Sequence, residues 1–111
     1  MKKTESISSY YLGDDGTPWK DRPRETWVTC RMVHVYSIGT FLGHPGSEAL
    51  ADAGLKGLKG ELRDTENGGW YAGLTADGGI LPTKQCYAHA FVILAASSAV
   101  LAGRPGAKEL L

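Results

Sequence analysis

LGHPGSEAL (residues 42–50) returns 60 positions later as AGRPGAKEL (102–110). Under that shift Gly43 falls on Gly103, Pro45 on Pro105, Gly46 on Gly106 and Leu50 on Leu110. In each copy a helical stretch runs into G-x-P-G, and another helical stretch opens directly behind it. Glycine ends a helix because it enters the left-handed region freely, and a proline just beyond prevents continuation. A repeated helix–corner–helix unit cannot bury its own faces and needs stacked neighbours of the same kind. The chain holds this unit once, plus the opening of a second copy that stops at Leu111 after barely one turn. The expectation is an all-α architecture that is one part of a larger array.

Working outward from the corners, TWVTCRMVHVYSIGTFLG (26–43) sets Val28, Arg31/Met32, Val35, Ile38/Gly39 and Leu42 at helical spacing, with Thr26 as N-cap. This predicts a helix over about 27–42. A second helix is predicted over 47–63, with Ala51, Leu55, Leu58 and Leu62 as its apolar stripe and Asp52, Lys56 and Lys59 facing water. Gly54, Gly57 and Gly60 each cost ~1 kcal/mol against alanine inside a helix. Their spacing fits either a close helix–helix approach or a helix that ends early. A third helix is predicted over 83–102, behind Pro82. Tyr87, Phe91, Leu94, Ser98 and Leu101 form one stripe, and Ala88, Val92, Ala95 and Ala99 nearly cover the other side. Apolar almost all round, it should be buried in the complete array. With Phe91, Val92, Leu94 and Leu101 spread around it, it should show large exposed patches in the chain by itself. As equivalent members of successive repeats, the first and third helices should run parallel as neighbours.

Between the second and third helices the period changes. NGGWYAGLTADGGIL (67–81) alternates around Asp77-Gly78-Gly79, which signals a β-hairpin near 68–81. Residues 1–26 read as an irregular lead-in, with turn chemistry at DDGTP (14–18) and DRPRE (21–25) and at most a short strand at Tyr10–Leu12. The whole of 1–111 is taken as a single segment.

Composition limits the function classes. Twelve basic residues balance twelve acidic ones, so no net field draws the chain to nucleic acid or to anionic lipid. MKKTESISSYY lacks the apolar core of a signal peptide. The most apolar run, Ala90 to Ala102, is 13 residues long, short of the ~20 that span a bilayer. Cys30 and Cys86 fit neither a disulfide framework nor a metal knuckle, so free thiols and a cytoplasmic location are expected.

Motifs for phosphate, nucleotide or serine-nucleophile chemistry are missing, and His34, His44 and His89 show neither HExxH nor close pairing. No metal and no cofactor is expected. Arg31 stands out because it lies among Trp27, Val28, Met32 and Val35 in a segment with little other charge. It either snorkels or pairs with Glu25 or Glu61, or it offers a fixed planar donor fork to an anionic or polyhydroxyl ligand. Tyr87 and His89 open the third helix, and for His89 local packing is the simpler reading. Trp27, Trp70 and Tyr71 are aromatic surfaces of the kind that stack on sugars or fill cores.

Four linked stretches carry a resemblance: WVTCRMVHVYSIG, the GHPG corner, LRDTENGGWYAGLTADG and TKQCYAHAFVILAASSA. In this order and spacing they closely resemble the N-terminal part of the N-acylglucosamine 2-epimerase superfamily, nearest to its mannose and sulfoquinovose isomerases. The resemblance covers roughly residues 10–111. It implies a partial (α/α)6 barrel, a toroid of helical hairpins, here with one short β-hairpin. The implied chemistry is metal-free aldose–ketose isomerisation or C2 epimerisation of a monosaccharide through an enediol(ate). By the same resemblance, Arg31 in W-x-x-x-R holds the sugar and its developing oxyanion, and Trp27 and Tyr87 serve as pocket walls and hydrogen-bond donors.

The family's acid–base histidines lie on later helices, and His34, His44 and His89 do not match them. The implied count of catalytic residues in this chain is therefore none, and MKKTESISS stands where the family has a longer helix. The expectation is an N-terminal fragment, inactive alone. A competing reading is a non-catalytic helical module that self-associates through open apolar faces or pairs with a separate C-terminal chain.

Overall fold

The structure, a computed structural model, describes residues 10–111. The expectations for MKKTESISS, that it holds no export signal and replaces a family helix, lie outside the described residues. Three helices dominate: α1 (Thr26–Phe41), α2 (Ser47–Lys59) and α3 (Cys86–Leu101), followed by a 3-10 turn at Lys108–Leu110. Three two-residue strands, β1 (Arg24–Glu25), β2 (Gly73–Leu74) and β3 (Ile80–Leu81), form one antiparallel sheet in the order β1-β2-β3.

The two corners share one backbone geometry. Gly43 has φ +74° and Gly103 φ +74°, while Gly46 and Gly106 have φ +86° and +81°. His44 N–H donates to Gly39 O and Gly43 N–H to Thr40 O; Arg104 N–H donates to Ala99 O and Gly103 N–H to Val100 O. Both helices thus end in the same paired closure of their last carbonyls around a left-handed glycine. The corners differ at one residue, with a consequence. Arg104, in place of His44, reaches back to α2, with Nε and Nη2 on the two oxygens of Asp52 at 2.8 and 2.9 Å and Nη1 on Glu48 at 2.7 Å. This bidentate clasp holds the second corner over α2 and draws Asp52 out of its expected role as a free surface charge.

α1 and α3 lie side by side and parallel, as the repeat requires. Trp27 meets Tyr87 and Phe91 at one end, and further along both helices His34 Nδ1 and Ser98 Oγ share a 2.7 Å hydrogen bond. The buried faces are not the ones the bulky residues mark. α1 buries Thr26, Thr29, Cys30, Val33 and Ser37, and α3 buries Ala88, Val92, Ala95, Ala96 and Ala99. Val35 is 51% exposed, Leu42 80% and Leu101 73%, with Ile38, Ile93 and Leu94 also open. The bulky stripes expected on α1 and α3 are corrected accordingly, whereas the Ala88, Val92, Ala95 and Ala99 side is buried and the open apolar patch expected on α3 of the chain by itself is present. Small side chains sit where helices approach closely, and the large ones are left on the outer side of the pair.

For α2 the predicted stripe holds: Ala51, Leu55, Leu58 and Leu62 are all buried. The helix stops at Lys59 instead of Arg63, because Gly60 leaves helical geometry and Arg63 turns to bridge Trp70. The glycines serve both of the roles their spacing allowed. A Cβ at Gly54 would run into Val33 Cγ2 on α1, whereas Gly60 ends the helix.

The hairpin is present as β2 and β3, but it gains a third strand from the segment expected to be irregular. Gly73 and Leu74 pair with Glu25 and Arg24, and a Cβ at Gly73 would lie 2.5 Å from Arg24 O, so only glycine allows this approach. In the lead-in, the expected strand at Tyr10–Leu12 reduces to a bridge between Leu12 and Pro18. Thr26 is not the cap of α1. It is the first helical residue, with its N–H on Ala72 O and its hydroxyl on Tyr71 O, while Glu25 holds the cap position. α1 is thereby fastened to the sheet at its first turn. α3 begins at Cys86 instead of residue 83, after an extended Gln85.

Asp64 ties the 64–69 loop to the approach to α3. Its buried carboxylate accepts from Lys84 Nζ at 2.6 Å and from the backbone N–H groups of Glu66 and Asn67 at 3.1 and 3.0 Å. The Lys84 ammonium first, then the Asn67 N–H, hold this acid far below the usual carboxylate range. Its folded-state value lies below the ~3.9 of an unfolded aspartate. Its stabilising contribution is therefore complete above about pH 5 and is lost as pH falls from there into the strongly acid range. Urea titrations across that interval are expected to show a steeper loss of stability in the natural chain than in Asp64→Asn. Asp64→Asn should also be the less stable of the two at neutral pH.

Candidate functional site: an aromatic–guanidinium cluster

Trp27 and Arg31 are four residues apart on α1, and Tyr87 and Phe91 are four apart on α3. Each pair therefore occupies one helix face. Because α1 and α3 are parallel, both pairs come to the same end of the molecule, near the helix starts. The Arg31 guanidinium carbon lies 5.4 Å from the Trp27 ring centroid. Tyr87 meets Trp27 edge-on at 6.1 Å and Phe91 at 4.9 Å, and Phe91 lies 6.3 Å from Trp27. All three site residues expected from the sequence, Trp27, Arg31 and Tyr87, are brought together.

Arg31 is exposed, and among the described residues neither Glu25 nor Glu61 forms an ion pair with it. Glu61 faces Arg24 instead, at 3.8 Å. The guanidinium rests on the indole, which limits its freedom without using up its donor fork. Tyr87 is 58% exposed, so its ring and hydroxyl border the same open face. Trp27 differs in one respect from a free donor: its indole N–H already donates to Glu25 Oε2 at 2.9 Å. The cluster thus offers a flat aromatic wall, a planar cation and a phenol, a set suited to the C–H face and hydroxyls of a sugar.

The three histidines are engaged elsewhere. His34 is bonded to Ser98, and His44 Nδ1 lies 3.1 Å from Pro45 O. His89 Nε2 accepts from the Trp70 N–H at 3.1 Å, and its Nδ1 lies 2.7 Å from Gln85 O. That pairing makes Nδ1 the protonated nitrogen of a neutral ring and assigns His89 to packing. Trp70 meets His89 edge-on at 5.8 Å and donates its indole N–H to Leu58 O, and Tyr71 lies beneath Lys84. Both thiols are free: burial pushes Cys30 up to about 12, while Cys86 is exposed. Among the described residues no three His, Cys, Asp or Glu side chains gather into a metal-sized group.

Phe91 and Glu25 belong to the cluster and were not picked out from the sequence as site residues. Phe91 had a signal, since the 60-residue shift places it on Arg31 as it places Tyr87 on Trp27. Glu25 had none, because its second partner, Tyr11, is 14 residues away.

The profile of the N-acylglucosamine 2-epimerase (GlcNAc 2-epimerase) family matches residues 8–111. A D-mannose isomerase from Thermobifida fusca is 48% identical over 102 residues, covering 91% of this chain and 25% of that protein. A D-mannose isomerase from Pseudomonas cannabina pv. alisalensis is 50% identical over 86 residues, 78% of this chain and 20% of that protein. The chain thus spans a fifth to a quarter of the length of these curated relatives. Among solved structures, a cellobiose 2-epimerase from Bacillus thermoamylovorans superposes with a TM-score of 0.79 at 24% identity, over 98% of this chain and 30% of that one. A sugar epimerase from a ruminal bacterium gives 0.77 at 24% identity, over 98% and 29%. At that identity the two structures speak for the fold alone. Among the described residues no helix is long and apolar enough to cross a membrane.

Proposed function

Because the chain belongs to the N-acylglucosamine 2-epimerase family, we propose that it forms the sugar-holding side of an aldose–ketose isomerase of mannose or sulfoquinovose type. The observation that carries this reading is the convergence of Trp27, Arg31 and Tyr87 at one end of the parallel pair α1 and α3. In the proposed reaction a base removes the C2 proton of the aldose, charge moves onto the carbonyl oxygen, the C2 hydroxyl proton passes to that oxygen, and the enediol(ate) is reprotonated at C1 to leave the ketone at C2. Arg31 supplies fixed donors to that oxygen, Tyr87 donates to a hydroxyl, and the Trp27 face packs the ring. The proton-transfer groups come from helices other than these, since His34, His44 and His89 all have other partners.

The wider architecture in this reading is a closed (α/α)6 barrel in a cytoplasmic enzyme. The 102 residues matched to the Thermobifida fusca protein are 25% of it, which gives about 400 residues, room for six such repeats with end segments. The outward apolar faces of α1 and α3 suit further inner helices on either side. They also favour a second reading, in which the 111-residue chain associates with itself; a discrete oligomer on size-exclusion chromatography would support that one.

The test is a graft. The 111-residue polypeptide alone is expected to convert no measurable D-mannose to ketose. The same residues, replacing the matched segment of the Thermobifida fusca D-mannose isomerase, are expected to give an active enzyme. A folded but inactive graft would overturn the reading.

A further inference from the structure

Glu25 stands between the lead-in and α1, yet its side chain does not cap the helix. One carboxylate oxygen accepts from the Tyr11 hydroxyl at 2.7 Å, and the other accepts from the Trp27 indole N–H at 2.9 Å. The Trp27 ring in turn meets Arg31, Tyr87 and Phe91 alike. We propose that Glu25 is a positioning residue for this pocket: its carboxylate, oriented by Tyr11, fixes the plane of the Trp27 indole and with it the seats of Arg31 and Tyr87.

The argument is geometric. α1 sets the Trp27 backbone, which leaves two side-chain torsions to decide where the ring plane lies. The second of these is broad for an aromatic side chain, so packing alone defines it weakly. A turn of about half a revolution would move the indole N–H to the opposite edge, away from Glu25, and present a different face to Arg31. A charged acceptor on the N–H selects one of these states. Tyr11 holds the acceptor itself, and the bond to the carboxylate raises the Tyr11 phenol above its ordinary value. The irregular lead-in thus bears on the pocket, through two hydrogen bonds in series.

This role rests on the sugar-pocket reading, and the experiment separates the two. Exchange of the indole N–H groups is followed by NMR in the 111-residue chain, with the Trp70 indole, bonded to Leu58 O at 2.6 Å, as internal control. In the natural chain Trp27 should be protected relative to the exposed Trp19. Glu25→Ala should speed Trp27 exchange at least ~10-fold and leave Trp70 unchanged. Glu25→Gln should restore most of the protection, since its amide oxygen can accept from Trp27 while its amide N–H donates to the Tyr11 oxygen. Equal exchange of Trp27 and Trp19, an unaltered Trp27 in Glu25→Ala, or joint loss of Trp27 and Trp70 protection would each overturn the proposal. D-mannose titration supplies the second arm. If the sugar shifts no Trp27 resonance while the exchange pattern holds, the pocket reading fails and the hold of Glu25 on the indole stands. If the sugar binds Glu25→Ala as tightly as the natural chain, the positioning role falls and the pocket stands.

Discussion

Arg31→Ala in the grafted enzyme is expected to lower kcat/KM for D-mannose by at least ~10²-fold, the usual scale for removing one fixed donor from a developing oxyanion. The guanidinium sits 5.4 Å from the Trp27 ring centroid on an open face, with its donor fork free of carboxylates among the described residues. Charge appears on the sugar oxygen only as the C2 proton leaves, so the loss should fall on kcat more than on KM. Arg31→Lys should recover little, because a single ammonium reproduces neither the paired donors nor the stacking on the indole. His89→Gln should leave most of the turnover intact, since that ring serves Trp70 and Gln85. An Arg31→Ala graft with unchanged kcat/KM would remove Arg31 from the site.

Leu58→Ala is expected to destabilise the 111-residue chain by about 2–5 kcal/mol, the range for deleting a buried leucine and leaving a cavity. Leu58 is fully buried in the cluster that joins α1, α2, α3 and the closing 3-10 turn, beside Leu55, Leu62, Val33, Val92 and Leu110. Its carbonyl also accepts the Trp70 indole N–H. Collapse around the gap would have to move α2 against both neighbouring helices, so little relaxation is available. Against a total stability of ~5–15 kcal/mol for a domain, such a loss is a large part of the whole. Urea denaturation should show a markedly lower midpoint, and a shift corresponding to less than about 1 kcal/mol would mean that α2 is not the centre of the core.

Much of the fold was legible because its signals are local. The G-x-P-G corners require left-handed glycines, and Gly43, Gly46, Gly103 and Gly106 all adopt that geometry. The polar–apolar contrast along α2 marks its buried face correctly, through Ala51, Leu55 and Leu58. Three helices and a hairpin were expected, and each is found with ends moved by a few residues. The site was legible in part. The 60-residue shift pairs Trp27 with Tyr87 and Arg31 with Phe91, and the parallel repeats bring those pairs together.

Burial on α1 and α3 was not legible. Both helices carry apolar residues on several sides, so periodicity offers no contrast between faces. Choosing the bulky stripe then selects Val35, Ile38 and Leu42, which turn out exposed, over Thr29, Cys30 and Val33, which are buried. Close packing of two helices favours small side chains at the crossing, and only the arrangement of the neighbours says where that crossing lies. The third strand at Arg24–Glu25 was hidden for a similar reason: two residues have no period, and their pairing depends on Gly73, almost fifty positions on. Glu25 is the sharpest case. The amino-acid order determined the corners, the helices and the residues that a parallel repeat would bring together. The place of Glu25 between Tyr11 and Trp27 was decided by tertiary structure alone, because Tyr11 lies 14 residues away and a hydrogen bond between side chains that far apart leaves no pattern along the chain.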